Sequence, residues 1–489
     1  MREEIKQRVE MIRRGEVPEG YKQTKIVIIP VEWEVKQLGS YFDFKNGLNK
    51  EKEYFGRGNP IVNYTDVYHN SGLYKHMIKG MVDLTNKEIE NYNVKYGDVF
   101  FTRTSETIDE IGYASTILFH PEKTVFSGFL IRARPKNRKL NPHFCRYIFS
   151  SYQIRKQICQ KSSYTTRALT SGKNLKDVRM VQPLFAEQQA ISQILSTADK
   201  AIETTQSLIT LKEQKKKWLM QNLLTGKVRL PEYDTFPVPV QERIRMINSG
   251  IVPEGYKQTK VGIIPKNWKL ELFKNIADKR VKWSISGGPF GSNLKVSDYT
   301  DSGVRIIQLQ NIGDGKFLDN YKIYTTSKKA DELISCNIYP GEIILSKMGD
   351  PVARACLMPD SNKRFLMASD GIRFVVDETK NSKIYIFYSI NYSLFRKQAE
   401  RVSTGTTRKR INLPDLKNIK IPVPSLQEQT PIANILTTAD KEIDLLNQKL
   451  DTLKQQKKAL MQLLLTGIMR TTGLNLSSEP AEEGAEYVQ

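Results

Sequence analysis

The sequence predicts an α+β chain: two mixed α/β domains separated by two long antiparallel coiled-coil helices and related by an internal pseudo-twofold repeat. Three observations lead there. The string VPEGYKQTK occurs at 17–25 and again at 252–260. Apolar residues at heptad spacing run through 191–223 and through 432–464. Between these shared stretches lie two segments of similar length and little common sequence, each with short apolar runs of strand character.

The repeat comes first, because it sets every boundary. The match at 17–25 extends to Ile28-Ile29-Pro30 against Ile263-Ile264-Pro265 and to Trp33 against Trp268. Further on, Glu187-Gln188 matches Glu428-Gln429, Thr197-Ala198-Asp199-Lys200 matches Thr438-Ala439-Asp440-Lys441, and Leu223-Leu224-Thr225-Gly226 matches Leu464-Leu465-Thr466-Gly467. The chain divides accordingly into an N-terminal frame segment (1–27), a first domain (28–183), a first long helix (184–226), a linker carrying the repeated frame segment (227–262), a second domain (263–424), a second long helix (425–470) and an acidic tail (471–489) expected to be disordered. Length alone gives a prior of about three folding units. Shared frames imply a shared task, and unlike fillings imply that each does something private.

In the first long helix the seam reads Ile191, Leu195, Ala198, Ile202, Thr205, Ile209, then Leu219 and Leu223. In the second it reads Ile432, Leu436, Ala439, Ile443, Leu446, Leu450, Leu453, Leu460 and Leu464. Lys216 and Lys457 interrupt the two seams at matching positions, and Gly226 and Gly467 stand where a helix stops. Pro431 falls near the start of its helix, where proline is tolerated. Helices of about 38 residues span roughly 55 Å. With few apolar residues beside the seams, the simplest partner of each helix is the other. An antiparallel pair gives both halves the same surroundings.

In the fillings, Val99-Phe100-Phe101, Phe129-Leu130-Ile131, Ile343-Ile344-Leu345 and Ile372–Val376 read as strands. Helical patterns follow at 144–158 and 384–399. A few echoes survive: Gly97-Asp98 with Phe101-Thr102-Arg103 against Gly341-Glu342 with Leu345-Ser346-Lys347, and Thr165-Thr166-Arg167 against Thr406-Thr407-Arg408. The two fillings therefore share a fold and differ in their surfaces.

Lysine and arginine total 75 against 53 acidic residues, a formal charge of +22. The usual partner of a large folded protein so basic is the phosphate backbone of nucleic acid. Four scattered cysteines and four histidines form neither a zinc pattern nor a disulfide framework. With no long apolar run and no apolar signal core, the chain is expected to be cytoplasmic, with no membrane partner.

Catalytic motifs fail on inspection. Asn59-Pro60-Ile61 and Asn141-Pro142-His143 depart from an amino-methyltransferase loop, and Gly172-Lys173 continues into Asn174 rather than Ser or Thr. Gly287-Gly288-Pro289-Phe290-Gly291 has no Lys-Ser/Thr pair after it and reads as a turn. Asp360, Glu378 and Lys380 fit a loose magnesium-nuclease pattern, which is one rival reading. A purely structural coiled-coil linker is the other, and it leaves two large mixed domains unexplained.

EQQAISQILSTAD with KKKWLMQNLLTG, and again EQTPIANILTTAD with KKALMQLLLTG, resembles type I restriction-modification specificity subunits. So do the entry segments IIPVEW and IIPKNW, and GGPFGSNLKVSDYTDSG followed by PGEIILSKMG. The resemblance covers about 28–470. It implies a non-catalytic subunit in which each target recognition domain reads one half of a split double-stranded DNA sequence. It implies helices that hold the domains apart and dock two modification subunits, with restriction subunits joining them. S-adenosylmethionine, ATP and magnesium are then expected on those partners, and no cofactor on this chain. The first frame segment is more complete than the family pattern leads one to expect. On this reading the DNA-binding candidates are Thr102, Arg103, Arg167, Ser292, Asn293, Lys295, Lys347, Arg408 and Lys409, each with an ordinary alternative as a surface charge or cap.

Overall fold

In a computed structural model, described for residues 3–406 and 408–472, the chain forms two compact units. One comprises residues 1–206 and 448–489, the other residues 207–447. Thr407 and all of the acidic tail beyond 472 lie outside the described residues.

The first unit is built on a frame that closes around its filling. Glu34–Gln37 pairs antiparallel with Arg179–Gln182, so the two ends of the filling leave the frame side by side. Inside, a five-stranded sheet runs in the order 42–46, 130–135, 99–102, 114–117, 72–73. Period-two alternation explains its burial on both faces. Phe101 and Ile131 point into the core that holds Trp33 and Phe144, while Phe100 and Leu130 join Val62, Ile117 and Phe126 on the other side. A smaller sheet places 125–126 parallel to the long strand Phe55–Val62, with 80–82 antiparallel to it.

The second unit repeats the plan. Lys269–Leu272 pairs with Lys420–Val423, and a four-stranded sheet runs 285–287, 371–374, 343–346, 355–357, the same order as the first four strands of its counterpart. Ile343 and Leu345 face one core and Ile344 the other. Its second sheet again contains a parallel pair, Val304–Ile307 with Phe365–Met367. A common fold for the two fillings, expected from a handful of echoes, is what the strand order gives.

The long helices are Phe185–Leu223 and Leu426–Leu465, with Pro431 inside the second. Their pairing is antiparallel within each unit. Lys457 meets Asp199 at 2.5 Å in the first, and in the second Lys212 meets Glu442 at 2.7 Å and Lys216 meets Asp440. The expectation that the seams are buried only by each other needs correcting. Ile191, Leu195, Leu464 and Leu465 belong to the core of the first unit, and Leu223, Leu224, Ile432 and Leu436 to that of the second. In the middle of the helices Thr205, Ile209, Ile443 and Leu450 are buried as well but belong to neither core.

Two further corrections concern helices. The patterns at 144–158 and 384–399 are each broken in two, into Pro142–Ile148 and Tyr152–Lys161, and into Lys383–Asn391 and Ser393–Val402. The breaks sit at Ser151 and Tyr392, both extended (ψ 146° and 149°) and each the N-cap residue of the second helix. Helices Glu3–Arg13 and Val240–Asn248 occupy matching places before the two copies of VPEGYKQTK, and their charged faces hid them.

Candidate nucleic-acid interface

The frame fixes where the domains' surfaces can be. Each EQ pair at the start of a long helix is a buried anchor. Trp33 Nε1 donates to Glu187 at 2.7 Å, and Arg470 Nε donates to the same carboxylate at 2.9 Å. In the second unit Trp268 Nε1 (3.2 Å) and Arg229 (2.8 and 2.6 Å) converge on Glu428. Gln188 and Gln429 reach the other way. Each donates to a proline carbonyl, Pro183 or Pro424, and accepts from the amide of Asn141 or Ser382. Tyr21 and Tyr256 close the ring by donating at 2.6 Å to the carbonyls of Gly467 and Gly226. Both glycines have left-handed φ (72° and 69°), and a Cβ there would strike Pro30 or Pro265 at 2.6 Å. The seam lysines become intelligible too. Asp199 takes Lys457 and the Tyr147 hydroxyl, while Asp440 takes Lys216 and the Tyr388 hydroxyl.

On this scaffold the sequence-derived candidates fall into groups. Thr102 is corrected outright: it is fully buried, and its hydroxyl accepts from the Tyr113 amide at 2.9 Å, so it holds a turn and faces no base. Arg103 is half-buried, just past the end of strand Val99–Thr102. Arg167 sits exposed at the tip of a small hairpin (163–164 with 168–169) that pairs with Thr104–Ser105, and it meets Glu106 at 3.1 Å. Arg103, immediately before Thr104–Ser105, and Arg167, at the hairpin tip, thus flank one small sheet.

In the second unit the corresponding hairpin joins Thr404 to Arg410, and Arg410 bridges to Met348. It carries exposed Arg408 and Lys409 beside half-buried Lys347. The glycine-rich segment comes to the same face. A shallow cleft is lined by Phe290, Leu294, Tyr299, Gln308, Ser369 and Asp370, and Asp370 accepts from the Lys347 amide at 2.7 Å through its carbonyl. Gly288 is required there, because a Cβ would lie 1.7 Å from the Ala368 carbonyl oxygen. Ser292, Asn293 and Lys295 follow in an exposed turn, and Phe290 is 84% exposed. The Lys295 amide donates to Asp298 at 2.7 Å, so its backbone caps a short helical turn while its side chain faces outward.

Sequence reasoning passed over Phe129, Leu169, Asp370 and Arg410. They stand at matching positions of the two units and differ in chemistry, so the echoes that marked Arg103 and Lys347 gave no signal for them.

The magnesium-nuclease reading is not favoured. Glu378 is engaged by Lys383 at 3.2 Å, and Lys380 turns to Asp377 at 3.2 Å. Among the described residues no group of three or more His, Cys, Asp or Glu stands close enough to hold a metal. Burial pushes the thiols of Cys145 and Cys356 up to about 12, far from nucleophilic. Among the described residues no helix is long and apolar enough to cross a membrane. The linker reading is not favoured either, since each unit carries a full mixed domain.

The model of the type I restriction modification DNA specificity domain matches residues 30–213 and 298–455. The type I restriction enzyme MjaVIII specificity subunit of Methanocaldococcus jannaschii is 23% identical over 462 residues, 94% of this chain and 97% of that protein. The putative MjaX specificity subunit of the same organism is 25% identical over 462 residues, 92% and 97% of the two chains. The crystal structure of a type I restriction-modification S subunit from M. genitalium covers 92% of this chain and 98% of its own, at 15% identity and a TM-score of 0.49. With two family-matched stretches covering more than half of its length, the chain belongs to the type I restriction-modification DNA specificity family.

Proposed function

We propose that this chain is the DNA-reading subunit of a type I complex, in which residues 28–183 and 263–424 each read one half of a bipartite double-stranded target. The carrying observation is that one frame holds two domains of the same strand order whose exposed residues differ. The paired helices set the gap between half-sites and dock two modification subunits, to which restriction subunits add. Lys and Arg on the hairpin faces supply phosphate affinity, and side chains beside them supply base choice. S-adenosylmethionine, ATP and magnesium belong to the partners, the chain itself is non-catalytic, and the complex works in the cytoplasm.

The test uses the purified full chain with and without its modification subunits. Alone it binds duplex DNA but neither transfers methyl groups nor cuts; with them it supports adenine methylation at a split sequence. Methyl transfer or magnesium-dependent cleavage by the lone chain overturns the reading.

A further inference from the structure

One position in the two units is structurally identical and chemically opposite. In the first unit the Arg103 amide donates to the Phe129 carbonyl (2.9 Å), and the Thr170 amide donates to the Arg103 carbonyl (3.1 Å). In the second, the Lys347 amide donates to the Asp370 carbonyl (2.7 Å), and the Ile411 amide to the Lys347 carbonyl (3.0 Å). The registers agree: Ser163 faces Leu169 as Thr404 faces Arg410, and Leu169 faces Thr104 as Arg410 faces Met348. Phe129 therefore corresponds to Asp370, and Leu169 to Arg410. Phe129 and Leu169 are 63% and 43% exposed, whereas Arg410 and Asp370 form an ion pair at 3.0 Å with side chains 49% and 21% exposed. Both pairs flank an echoed cation, Arg103 or Lys347.

From this we infer that Phe129 with Leu169, and Asp370 with Arg410, are base-reading pairs of the two domains, the first selecting an A·T pair and the second a G·C pair. The inference rests on the proposed reading of DNA by these domains. A large phenylalanine and a leucine exposed at these matching positions have no use for water, but they fit the C5-methyl group that only thymine shows in the major groove. An arginine fork held on one side by a carboxylate keeps its remaining N–H groups aimed outward. That geometry matches guanine O6 and N7, with Asp370 near enough to accept from the paired cytosine amino group. The frame is blind to both choices, because the backbone bonds that hold the pairs are made by amides and carbonyls of any residue.

The experiment places the double variant Asp370→Phe/Arg410→Leu in the full chain with its modification subunits, maps methylated adenines in cells, and measures binding of the purified complex to duplexes changed one base pair at a time. The expected result is replacement of one G·C requirement by A·T in a single half-site, the other half-site unchanged, and binding to the original duplex reduced roughly 5- to 150-fold, the range for losing one bidentate base contact. Phe129→Asp/Leu169→Arg makes the converse change in the other half-site. Arg410→Lys keeps the charge and loses the fork, so it relaxes the preference at that base pair even if the double variant fails to fold. An unchanged recognition sequence overturns the inference, as does equal loss of binding to every duplex with the complex intact, which marks a phosphate contact. Exchange of residues 36–183 separates the two levels. If that exchange moves one half-site while these variants move none, only the present inference falls; if it moves neither, the reading of DNA by the domains falls.

Discussion

At the scale of single residues, Arg229 and Arg470 do one job in different degrees of burial. The Arg229 and Glu428 side chains are both almost inaccessible, and Trp268 completes the carboxylate's partners. Arg470 is a fifth exposed, and Arg470 also reaches Glu32. Removing one member of a buried pair leaves an uncompensated charge, at a cost of about 3–5 kcal/mol. Arg229→Ala should lower stability by that order in denaturant unfolding, and Arg470→Ala by clearly less, since water reaches the vacated side. Equal losses would show that burial does not set the difference.

At the scale of elements, the long helices divide into ends that belong to domain cores and a middle held by a thin seam. The middle is thin because Lys212, Lys216 and Lys457 replace apolar residues and spend their charge on acids of the other helix. On the proposed reading these helices measure distance on DNA. Deleting Leu208–Leu211 together with Lys449–Thr452 removes about 6 Å at ~1.5 Å per residue. With DNA rising ~3.4 Å per base pair, the preferred gap between half-sites should shrink by one or two base pairs with the same bases read. Mapping methylated sites in cells checks it. Stability should fall as well, because Ile209 and Leu450, both buried seam residues, are lost. An active protein with an unchanged gap would move the measuring role to the linker 227–251.

At the scale of the molecule, each filling leaves and re-enters the frame through one antiparallel strand pair, 34–37 with 179–182 and 269–272 with 420–423. An insertion whose ends already touch can be replaced without pulling the frame apart. Exchanging 36–183 for the equivalent domain of a relative should therefore change one half-site and leave the other untouched, as read from the methylated positions. A change in both, or in neither, contradicts two independent readers.

The sequence by itself determined the doubled frame, the two long helices, their antiparallel sense and the basic surface. It could do so because those features repeat: the same buried contacts around Trp33 and Trp268 demand the same residues twice, and a heptad seam writes its period along the chain. It also hinted at a common fold for the fillings through echoes such as Thr102-Arg103 and Ser346-Lys347, though it mistook a buried hydroxyl at Thr102 for a reader. Only the tertiary structure decided which exposed side chains stand together. Asp370 meets Arg410 across 40 residues of chain, and Arg229 meets Glu428 across 199. Strands of two residues, such as 163–164 and 168–169, have no period to read, and their register follows from the packing of the sheets around them. On the proposed reading, the surface that meets DNA is also where the two copies are free to differ, so their shared residues mark the scaffold rather than the site.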